Sequence, residues 1–165
     1  MLLQLREFVL GVHILLAIIW VGGVLFVGWG VFPAAKSLAY HVQRSFFLTL
    51  MRFTHWFFTG AGTGVILTGM ILGTVLGPIR TWDQVWQTTY GNTWFTALVI
   101  GVVTLVWGVV IAYRQSIKIF TNTAIWQEAS AGNPRKLNKA LFRIALTESV
   151  EVIGFMLLIY LMISL

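Results

Sequence analysis

Four stretches of this sequence are apolar for long enough to cross a bilayer, and nothing else in it restricts the fold as severely. A spanning helix needs about 20 apolar residues to traverse about 30 Å of hydrocarbon. Runs near Phe8–Phe32, Phe46–Leu76, Thr93–Tyr113 and Leu141–Leu165 reach that length. Only 10% of the residues are charged, where a soluble domain has roughly 25%. The expected fold is all-α, an integral membrane four-helix bundle forming a single transmembrane domain over residues 1–165. The first run exceeds the roughly 7–15 residues of a signal-peptide core, so it reads as a retained span.

The formal net charge of +6 follows topology. Lys36, Arg44 and Arg52 lie in or beside the first connection, and Arg114, Lys118, Arg135, Lys136, Lys139 and Arg143 in or beside the third. Arg6 and Arg80 fall on the opposite side. The positive-inside rule then makes the first and third connections cytoplasmic and puts both termini on the non-cytoplasmic side. This multi-pass arrangement suits the cell (inner) membrane, with membrane lipid as a partner and no nucleic acid. Between spans two and three, Thr81 and Gln84 have capping-box spacing. Trp82, Trp86, Tyr90 and Trp94 are rings suited to the headgroup layer, so a short surface helix is expected there. The third connection reads as an extension of the third helix through about Ala131, broken by Gly132, Asn133 and Pro134.

Ionisable side chains at membrane depth are costly and point to function. His13, Arg52, His55, Glu148 and Glu151 qualify, whereas His41 lies in the basic connection and reads as a surface residue. The expected network sets Glu148 or Glu151 against Arg52 or His55. From the predicted span ends, His13 and His55 differ in level by roughly 10 Å. Gly69, Gly73 and Gly77 recur every fourth residue on the second span, a flat strip for close packing. The absence of Cys removes iron–sulfur clusters and thiolate metal sites.

Three short motifs carry resemblances. Arg52-Phe-Thr-His55-Trp56 followed by Leu67-Thr68-Gly69 is similar to the R-x-x-H-W…T-G signature of the diheme cytochrome b subunits that anchor formate dehydrogenases and hydrogenases. His13 through Phe26, with Trp20, Gly22 and Gly23, together with Thr89 through Phe95 and Arg143…Glu148, resembles the copper resistance D-type membrane domains. The His13 segment also resembles the HemJ-type protoporphyrinogen oxidases. The first and last of these resemblances imply heme b. His13 and His55 would be iron ligands, Arg52 would neutralise a propionate, and Trp20 and Trp56 would pack on the porphyrin. Either one heme bridges the two histidines or each holds its own. That role is electron transfer within the membrane, with other redox subunits or quinone as partners, more than stand-alone enzymatic activity. The copper resistance D resemblance implies copper handling through His13, His55, Met51, Met70 and Met156. A non-catalytic structural subunit is the third class.

Orientation is open to direct measurement. Single cysteines at Ser37 and Ser130 should be shielded from an impermeant thiol reagent in intact cells, and one at Thr88 should react. The reverse labelling pattern discards this topology.

Overall fold

The computed structural model describes residues 1–165 and is helical throughout, with no strand. Four helices are long and apolar enough to cross a membrane: α1 (Leu2–Ala35), α2 (Tyr40–Gly73), α4 (Thr89–Thr121) and α6 (Arg135–Ile163). Two short helices, α3 (Trp82–Gln87) and α5 (Thr123–Ser130), lie in the connections. At 1.5 Å per residue the long helices measure about 44–51 Å, so each protrudes well beyond about 30 Å of hydrocarbon. The termini and α3 share one end of the bundle. The other end, called the basic end below, carries the α1–α2 turn and α5.

The predicted connections hold with two changes. Thr81 and Gln84 form the capping box that starts α3, and Thr88 caps α4 by accepting from the Gly91 amide at 3.0 Å. Gly91 itself abuts the α3 backbone at Gln84 and Val85, where a Cβ would collide. α2, however, ends at Gly73 rather than Leu76, so Gly77 lies outside the helix. The extension of the third helix breaks earlier than expected, at Asn122, before α5 resumes; Gly132 then turns the chain with φ of 97°.

Helix α1 packs on α2, α2 on α4, and α4 on α6. At the basic end Phe47 stacks between Phe32 at 4.3 Å and Phe120 at 5.1 Å, over buried Trp126, Leu137 and Ile144. Two arginines close helix ends there and opposite. Arg44 donates to the Phe120 and Thr121 carbonyls at the end of α4. Arg80 donates to the Thr74 and Val75 carbonyls just past α2. Both positions place a cation where unpaired carbonyls concentrate negative charge. The outward surface is apolar, including Phe8, Phe26, Trp29, Phe53, Trp56, Phe142, Ile153 and Tyr160, an arrangement water would penalise and lipid tails accept. The chain is therefore a multi-pass helical membrane protein by length, apolarity and surface.

The glycine strip faces protein. A Cβ on Gly73 would land on the Trp94 indole, and one on Gly69 would meet His13 at 3.3 Å. Gly73→Leu should force α2 away from α4 and cost about 1–3 kcal/mol, lowering the melting temperature by several degrees. An unchanged melting temperature means the strip contacts lipid instead.

Candidate functional site

One cavity of about 80 Å³ opens inside the bundle toward its basic end. Its polar wall is built from three helices. On α6, Glu148 and Glu151 lie less than one turn apart and both face it; on α2 the contributors are Met51, Thr54, His55 and Thr59; on α4 they are Gly108 and Tyr113. Local sequence explains the placement. The α4 face toward α6 reads Gly101, Thr104, Gly108, Ala112 and Ser116, small residues every three or four positions that admit α6 closely. A Cβ at Gly108 would occupy the space of the Glu151 carboxylate, and one at Gly154 would strike Thr104. α4 is π-wound from Trp107 to Ala112, and α1 from Ile18 to Gly22. Both segments border the cavity, and widened turns of this kind recur at functional sites.

The polar groups in the wall are sparsely paired. Ser116 Oγ reaches Glu148 Oε1 at 3.5 Å, and Glu151 makes no hydrogen bond to protein although it is 8% exposed. Thr54 and Thr59 return their hydroxyls to the Leu50 and His55 carbonyls. His55 stacks on Tyr113, ring centres 3.7 Å apart and nearly parallel at 17°. Most of the lining is apolar, but the polar groups of one wall and the space between them suffice for a few waters. Toward the terminal end it is closed by Trp20, set edge-on to Phe155 at 5.1 Å, with Ala61 and Leu105 beside them.

His13 lies beyond that apolar layer. Its Nδ1 is 2.8 Å from Thr68 Oγ1, and the Thr68 hydroxyl lies 2.7 Å from the Gly64 carbonyl. The single hydroxyl proton goes to the carbonyl, so His13 Nδ1–H donates to Thr68, and in the neutral ring that arrangement leaves the lone pair on Nε2. Trp94 Nε1 donates to the Gly69 carbonyl at 3.0 Å, holding α4 against the same stretch of α2.

The residues singled out from sequence thus separate into three places. His55, Glu148, Glu151 and Trp20 meet at the cavity. His13 does not: Thr68, its partner, stands about 20 Å along the α2 axis from His55, twice the separation inferred from the predicted span ends. The difference arises because α2, at 34 residues, is about 51 Å long rather than the roughly 30 Å of one hydrocarbon crossing. Arg52 and Trp56 are exposed on the outside of α2; Trp56 is turned about 100° from His55 and Arg52 about 60° to the same outward flank. The expected pairing of Arg52 with Glu148 or Glu151 is absent. The salt bridge present, Lys136 to Glu128 at 2.9 Å, is elsewhere. Of the methionines, Met51 lines the cavity, whereas Met70 and Met156 are exposed.

These positions bear on heme. One iron cannot accept both His13 and His55 across about 20 Å. No three His or carboxylate side chains converge closely enough to chelate a metal ion. Tyr113, Ser116 and Thr104 escaped the sequence reading; the small-residue period on α4 was the signal that marked their face. The chain matches no protein-family model, no curated protein and no solved structure.

Removing one member of a buried ion pair costs about 3–5 kcal/mol. With no cation beside them, Glu151→Gln and Arg52→Gln should each change stability by less than about 1 kcal/mol, and their effects should add. Strong destabilisation by both, relieved in the double variant, would restore the Arg52 pairing.

Proposed function

We propose that this chain is a membrane protein that binds and releases protons at the Glu148–Glu151 pair, with His55 as the neighbouring proton carrier, in support of transport or redox chemistry across the membrane. One observation carries the reading: two carboxylates share a cavity inside the bundle with His55 and with no Lys or Arg against them. Two negative charges in low dielectric are each costly by several kcal/mol, and a bound proton removes that cost. Ionisable groups facing a wet cavity inside a bundle are the usual parts of proton relays. Donors that line a water-sized space without converging suit a proton and its waters better than a dehydrated metal ion. The apolar layer of Trp20, Phe155 and Leu105 separates this site from the terminal end, so protons reach it from the basic end, which the positive-inside rule makes cytoplasmic.

Two further readings each have an observation in their favour. Met51 and His55 stand one turn apart in the same cavity, a thioether and an imidazole that suit copper. At the other site, the His13 Nε2 lone pair, the Thr68 hydrogen bond behind it and bare Gly69 are features that a heme b ligand requires. His13 would then hold its heme without His55.

Infrared difference spectroscopy across a pH titration tests the leading reading. A carboxylic-acid carbonyl band that appears and vanishes with pH should be present in the wild type, reduced in Glu151→Gln and absent from Glu148→Gln/Glu151→Gln. A spectrum without that band, or one that the double variant leaves unchanged, removes the proposal. Stoichiometric copper in the purified protein, lost in Met51→Leu, favours the copper reading. A reduced-minus-oxidised heme spectrum, lost in His13→Ala and kept in His55→Ala, favours the heme reading.

A further inference from the structure

Arg52 has no use in the cavity, and its surroundings point outward. It is exposed, accepts no carboxylate partner and donates no hydrogen bond within the protein. It sits in a shallow open groove on α2 with Thr49, Phe53, Trp56 and Phe57. Phe53 and Phe57 stack at 15° one turn apart, and Trp56 is 75% exposed, so the groove is an aromatic face with one cation at its rim. Depth decides what can meet it. Counted from the end of α2 at Gly73, Arg52 lies about 32 Å along the helix. With Gly73 taken as one boundary of a hydrocarbon core about 30 Å thick, Arg52 falls at the other, the level of lipid phosphates. Phe53, Trp56 and Phe57 follow at acyl-chain depth.

We infer that this groove binds one anionic phospholipid at the basic end, its phosphate on Arg52 and the Thr49 hydroxyl and an acyl chain along Phe53, Trp56 and Phe57. The charge and the depth commit the site to a lipid headgroup. A planar, forked guanidinium matches phosphate oxygens, and the exposed aromatic rings offer acyl chains flat contact.

Native mass spectrometry of the full chain, loaded with phosphatidylglycerol or phosphatidylcholine of identical acyl composition, tests the site. The wild type should retain one phosphatidylglycerol in preference to phosphatidylcholine. Arg52→Gln should lower that retention about five-fold, the factor expected for one basic side chain at an anionic surface. Lys139→Gln, which removes an equal charge from the same end, should leave it unchanged, and Arg52→Lys should restore part of it. Trp56→Ala keeps the charge and should weaken both lipids alike. Equal losses in Arg52→Gln and Lys139→Gln would show diffuse attraction and overturn the site. So would a wild-type dimer that Arg52→Gln dissociates, because the occupant would then be a second copy of the chain.

Discussion

Hydrocarbon offers no hydrogen-bond partner, and the whole structure is arranged around that fact. Each long apolar run must be a helix so that its backbone is satisfied internally, and each polar side chain at depth must find a partner in the protein. Most do so locally. Thr54, Thr59, Thr68 and Thr74 return their hydroxyls to the preceding turn. Others tie helices together: Trp94 reaches Gly69 across the α2–α4 contact, and Trp107 donates to the Thr147 carbonyl at 2.9 Å between α4 and α6. Glu148 and Glu151 are held more loosely, Glu148 by one long bond from Ser116 and Glu151 by none to protein, and both face the cavity.

That cavity follows from close approach on one side and bulk on the other. Gly154 lets α6 close on Thr104 of α4, and Gly108 leaves the space that the Glu151 carboxylate fills. The Trp20 ring seats over Gly62 and against Phe155. It closes the space toward the terminal end and leaves an opening to the basic end. A second polar place, at His13 and Thr68, is kept apart by the same layer. The separation gives the protein an asymmetric interior: a chamber holding two carboxylates on one side of an apolar barrier and a single histidine on the other. An interior of this kind suits proton binding coupled to a second event elsewhere in the bundle, whether transport or electron transfer.

The motif Arg52-Phe-Thr-His55-Trp56 shows how neighbours in sequence acquire different work. Within five residues of one helix, His55 turns inward to the chamber, while Arg52 and Trp56 turn to the membrane. A reading that keeps the motif together assigns all three to one cofactor. The helix divides them between an internal site and the surrounding lipid.

Sequence alone determined the number of spans, the membrane setting, the capping box at Thr81 and Gln84, and the glycines that let α2 meet its neighbours, because those depend on apolar length, turn chemistry and side-chain size. It also picked out Glu148, Glu151 and His55, since an ionisable group in an apolar run is conspicuous wherever it points. Which of those groups meet was decided by tertiary structure. Helix phase and axial overhang are set by packing against other helices, and a sequence read one span at a time holds neither. Hence Arg52, expected beside the acidic pair, is turned out to the exposed flank of α2, and His13, placed roughly 10 Å from His55 by span boundaries, stands about 20 Å away because α2 is longer than the hydrocarbon thickness assumed for it.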